Sequence, residues 1–120
     1  MTDLEFQIDN FMLYCQSRGL SKKTLASYEQ TLKLFTIYLK EHFDIEDAKQ
    51  VQSGHIRQYI KYLQERGKYT VVANEQSKKK NFPQNRPDHG KQVSMTTISN
   101  YVRNIKVFFN WLHNVERELQ

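Results

Sequence analysis

The stretch SKKTLASYEQTLKLFTIYL, Ser21 to Leu39, sets Leu25, Tyr28, Leu32, Phe35 and Leu39 three and four residues apart. That spacing puts side chains on one face of an α-helix, so a helix is predicted from about Ser21 to Glu41. Moved by 73 residues, its portion TLASYEQTLKLFTIYL (Thr24–Leu39) overlays TISNYVRNIKVFFNWL (Thr97–Leu112). Thr24 then pairs with Thr97, Tyr28 with Tyr101, Lys33 with Lys106, Phe35 with Phe108 and Leu39 with Leu112. The pairs Leu25/Ile98, Leu32/Ile105, Leu34/Val107 and Tyr38/Trp111 are conservative. Two helices doing the same job in a two-fold-like bundle carry such a repeat, and convergence of two amphipathic helices gives part of it. One pair falls short of the three stacked units of a solenoid.

The later copy is predicted to be a fourth helix that starts near Ser94 or Thr96 and buries Ile98, Tyr101, Val102, Ile105, Phe108, Phe109 and Leu112. Before Ser21, Leu4, Ile8, Phe11, Met12 and Cys15 repeat the same spacing from Thr2 to Arg18, with Thr2 or Asp3 as cap and Gly19 as stop. A third helix begins near Ser53, buries Ile56, Tyr59, Ile60 and Leu63, and ends at Arg66 before Gly67. Between the third and fourth helices, Lys68 to Gln92 is polar and holds both prolines, and a mobile loop of about 68–93 is expected. The fold class that follows is all-α, a compact bundle of four or five helices forming one domain over 1–120.

Composition agrees with a small folded core: 120 residues are 38% hydrophobic and 12% aromatic, with four Gly and two Pro. The formal charge of +5 is compatible with a polyanionic partner. Six cations of the polar stretch, opposed only by Glu75 and Asp88, supply four of those five charges. The run Lys78-Lys79-Lys80 therefore fits either a solvated loop or an arm along phosphates. The lone Cys15 cannot form an internal disulfide, and no leader or apolar run of spanning length is visible, so a cytoplasmic protein without a membrane partner is expected.

Opposite the apolar stripe, the fourth helix carries Thr96, Asn100, Arg103, Val107, Asn110 and Asn114. The start of the second helix is polar and small, with Lys22, Lys23, Thr24 and Ser27. Exposed helix starts attract phosphate through free N–H groups and the macrodipole. Asn, Gln and Arg can pair with base edges, which makes Asn100, Gln30 and Arg103 candidate readers. The same residues also serve as ordinary caps and surface.

The segment GLSKKTLASYEQTLKLFTIYL (Gly19–Leu39) resembles the opening signature of the core-binding, SAM-like N-terminal domain of tyrosine recombinases of the phage-integrase type. HIRQYIKYLQERG (His55–Gly67) resembles that family's third helix, and SMTTISNYVRNIKVFFNWL (Ser94–Leu112) its last. The resemblance implies a bundle forming half of a clamp around a recombination half-site, with the second and fourth helices at the major groove. Its DNA-binding residues would be Lys22, Lys23, Thr24, Ser27, Thr96, Thr97, Asn100 and Arg103, with Lys106 added by its repeat with Lys33. Double-stranded DNA and other recombinase protomers would be the partners. The long insertion before the fourth helix departs from the family.

The tyrosine nucleophile and its arginine, lysine and histidine helpers would belong to a catalytic domain absent from this chain, which is expected to be inert by itself. The seven Tyr are mostly at core spacing, and His42, His55, His89 and His113 have no metal-ligand spacing with Cys15. No metal or cofactor is expected. A helical protein-interaction module is the alternative, with Leu34, Ile37, Val107 and Trp111 as an exposed apolar seat. A helix-turn-helix regulator fits less well, because no compact recognition helix follows the first turn.

Overall fold

The computed structural model describes residues 1–66 and 92–118. These residues form four helices, α1 (Asp3–Ser17), α2 (Lys22–Phe43), α3 (Ser53–Glu65) and α4 (Met95–Glu118), with one 3-10 turn over Ala48–Gln50. The all-α class holds. The expected loop of about 68–93, its lysine run and the Gly67 stop lie outside the described residues, apart from Gln92 and Val93. Val93 is buried and belongs to the core.

Local chemistry starts and stops α1. Thr2 Oγ1 accepts from the Glu5 N–H at 3.2 Å, and Asp3 and Glu5 place negative charge at the positive end of the helix. The chain then turns at Gly19 with φ of +74°, a region that costs an L side chain strain. The Gly19 N–H reaches the Gln16 carbonyl and the Leu20 N–H the Cys15 carbonyl, which closes the helix as a Schellman motif.

The repeat reappears as geometry at the starts of α2 and α4. Ser21 Oγ accepts from the Thr24 N–H at 3.2 Å, and Ser94 Oγ accepts from the Thr97 N–H at 3.2 Å. In each, the serine hydroxyl lies 3.0 Å from the threonine Oγ1. These serines are the caps, and α2 continues two residues beyond the predicted end to Phe43. It stops where Asp44 takes the left-handed conformation, φ 54° and ψ 35°, with its N–H on the Lys40 carbonyl.

From Asp44 the connector returns to the start of α1. The Leu4 N–H, one of the free donors of a helix start, meets the Glu46 carbonyl at 2.9 Å, and Asp3 Oδ2 accepts from the Ala48 N–H at 3.0 Å. α3 is begun by a different device, in which the Gln52 N–H donates to His55 Nδ1 at 2.9 Å.

Helix α2 packs against α1, α3 and α4, while α4 also meets α1 and α3. The core holds Leu4, Ile8, Phe11 and Cys15 of α1, Leu32, Phe35 and Leu39 of α2, Tyr59 and Leu63 of α3, and Ile98, Ile105, Phe108 and Leu112 of α4. Burying each large apolar side chain contributes about 1.5–3 kcal/mol. Phe11 and Phe108 meet edge to face at 5.4 Å, and Phe35 lies 4.9 Å from the Tyr59 ring. Leu25, Tyr28, Ile56, Ile60, Tyr101, Val102 and Phe109 line the edge of this core, half-buried.

One expectation is corrected: of the four residues read as an exposed apolar seat, Leu34 is 5% exposed, Ile37 and Trp111 are half-buried, with the Trp111 ring 5.4 Å from that of Phe11, and Val107 alone is exposed. Three helices pack around α2, which leaves it little free circumference. Among the described residues, no helix is long and apolar enough to cross a membrane.

Candidate nucleic-acid interface

The first two turns of α2 lie across the middle of α4. The contact is polar at its centre, where Asn104, 4% exposed, faces Thr31, 1% exposed. Asn104 Nδ2 donates to Thr31 Oγ1 at 3.0 Å and to Ser27 Oγ at 3.2 Å. Thr31 in turn donates its own proton to the Ser27 carbonyl at 2.9 Å. Thr31 and Asn104 occupy equivalent positions of the repeat, 73 residues apart, so this polar bridge sits where the two helices meet as counterparts.

Above the bridge opens a cleft of about 310 Å³ lined by Lys23, Thr24, Ser27, Tyr28, Arg103 and Asn104. Lys23, Ser27 and Arg103 are exposed and Thr24 is half-buried. The cleft contains two cations and no acid. Arg103 is steadied by Asn100, whose Oδ1 accepts from its guanidinium at 3.0 Å.

Four of the nine expected contact residues, Lys23, Thr24, Ser27 and Arg103, thus converge from both copies of the repeat. Asn100 is tied to them through Arg103. Lys106 lines a neighbouring groove with Arg103, Ile60 and Met95. Lys22 and Thr96 are exposed outside the cleft, and the Thr97 amide is taken by its serine cap. The whole outer face expected of α4, Thr96, Asn100, Arg103, Val107, Asn110 and Asn114, is exposed.

Asn104 and Tyr28 were not among the expected site residues. Asn104 had a legible signal: like its counterpart Thr31, it is a polar residue beside an apolar stripe, next to Ile105 and one turn from Phe108.

A family model describing the phage integrase N-terminal SAM-like domain matches residues 8–82. The chain belongs to that family, and its function is accordingly recombinase-related. The match runs from within α1 through α3 and ends before α4, so the assignment of α4 rests on its repeat with α2 and its packing. Comparison with curated proteins and with solved structures gave no match.

Proposed function

We propose that this chain is the core-binding domain of a site-specific tyrosine recombinase and that its α2–α4 face grips double-stranded DNA. In this reading it forms half of a clamp on a recombination half-site for DNA integration, with catalysis residing in a separate domain and other protomers as partners. The observation that carries the reading is the convergence of Lys23, Thr24, Ser27 and Arg103 on one acid-free cleft. Lys22, Thr96, Thr97, Asn100 and Lys106 extend the face along both helices. Cationic side chains that neutralise phosphates release counterions, so binding by half a clamp is weak and salt-sensitive, with Kd on the order of 10⁻⁴ to 10⁻⁶ M near physiological salt.

The test is an amide NMR titration of the labelled protein with a short duplex at two salt concentrations, repeated with Lys23→Glu and Arg103→Glu. Shifts at the start of α2 and the middle of α4 that fade with salt and with either charge reversal support the reading. No shift at low salt refutes it and favours the interaction module, whose remaining apolar seat around Val107 and Trp111 would then be probed with Val107→Ala.

A further inference from the structure

The hydrogen bonds beneath the cleft have a direction, and the direction selects a ligand. Thr31 has one hydroxyl proton, and the Ser27 carbonyl takes it. Thr31 Oγ1 can therefore only accept from Asn104, which fixes the amide with its NH₂ group toward α2. The second proton of that NH₂ goes to Ser27 Oγ. With its oxygen engaged from below, Ser27 directs its own proton outward, and among the described residues no carbonyl or carboxylate receives it. Thr24 repeats the arrangement on a smaller scale, accepting from Ser21 Oγ at 3.0 Å and leaving its proton free.

Resting on the DNA reading above, we infer that this cleft seats one backbone phosphodiester, with Ser27 and Thr24 as oriented donors between the charges of Lys23 and Arg103. A phosphate offers acceptor oxygens alone, matching the outward hydroxyls of Ser27 and Thr24 and the two cations beside them. Base edges mix donors with acceptors, and the one amide in the cleft has spent its NH₂ internally. The contact is thus a positioning one, independent of sequence, and base reading falls to side chains outside the cleft such as Asn100. Asn104 is a positioning residue that acts through Ser27.

The experiment measures binding of two duplexes of unrelated sequence by fluorescence anisotropy over a salt series, for wild type, Ser27→Ala, Lys23→Ala, Asn104→Leu and the Ser27→Ala/Asn104→Leu pair. Far-UV circular dichroism checks that each is folded. Ser27→Ala is an exposed change to a better helix former and preserves the fold. It is expected to weaken both duplexes by the same three- to tenfold or so, with the salt slope unchanged, because it removes a donor and no charge. Lys23→Ala is expected to reduce the slope by about 0.9. Asn104→Leu, which removes the NH₂ without adding charge, is expected to weaken binding alone, yet to add nothing in the Ser27→Ala background, whereas a purely structural role would add its loss in both. Wild-type binding with Ser27→Ala silent, or a loss confined to one duplex, overturns the phosphate seat and leaves DNA binding standing. Absence of wild-type binding at low salt overturns DNA binding and the seat together.

Discussion

Replacing Asn104 by Ala should cost more than its surface neighbours suggest. The bond to Ser27 lies at the edge of the cleft, where water can replace it, but the bond to Thr31 is sealed at 1% exposure. Losing a neutral hydrogen bond costs about 1 kcal/mol, and stranding the buried Thr31 lone pair together with the void left by the amide brings the expected loss to about 2–3 kcal/mol. For a domain of this size that lowers Tm by roughly 10–20 °C. Thr31→Val, nearly isosteric, strips the acceptor and should cost about 1–2 kcal/mol. Both single variants break the same 3.0 Å bond, so the double variant should cost about 1 kcal/mol less than the two added. The assay is urea unfolding followed by circular dichroism for the four proteins of the cycle. Additivity to within about 0.5 kcal/mol would show that the two side chains do not support one another and would refute the reasoning.

Phe108→Ala, at a position fully buried against Phe11, should lose about 3–5 kcal/mol, while Val107→Ala on the outer face should stay within about 0.5 kcal/mol; chemical denaturation separates them. Asp44→Val puts a β-branched residue at φ 54° and should cost about 1–2 kcal/mol, whereas Asp44→Gly should be far milder; thermal melts would show equal losses if the left-handed turn were not obligatory. The hydrogen bond from Lys40, and then its charge, hold the Asp44 carboxyl below its ordinary value of 3.8, so the pair favours the folded state above that pH and the benefit disappears as pH falls through the lowered value. The stability gap between wild type and Lys40→Met at low ionic strength should therefore shrink from pH 7 to pH 2.5, and a gap of unchanged size would contradict this. Burial pushes the Cys15 thiol up, so a thiol reagent at neutral pH should label the folded protein slowly and the urea-unfolded one at once.

The helices were legible because their apolar residues recur at helical spacing and their ends carry recognisable chemistry: Thr2, Ser21 and Ser94 as caps, Gly19 as a stop. The end of α2 was harder to read because Asp44 does a glycine's work, stabilised by Lys40, which also pairs with Glu46. The connector of residues 44–52 has no period of its own, and Ile45 and Ala48 are buried by what they pack against rather than by any local pattern. Leu34 failed for a related reason: a helical wheel separates two faces but does not count the neighbours around a helix.

At the site, charge and hydrogen-bonding type picked out both sides of the cleft, Lys23, Thr24 and Ser27 on α2 and Arg103 on α4. They could not show which of the nine would converge. That depends on the crossing of α2 and α4, where the Asn104 bridge and the core join positions far apart in the chain.

The cleft therefore does not exist in either helix alone. Ser27 and Asn104 are 77 residues apart, and the walls come together only when the whole bundle has closed. A local fluctuation that lifts α4 erases the site, and whatever occupies it is bound by the fully folded chain and by no partly open form. By mass action, a ligand held there at ten times its Kd adds about 1.4 kcal/mol to the unfolding free energy. Part of the rigidity of the α2–α4 face would then be conferred by whatever it holds.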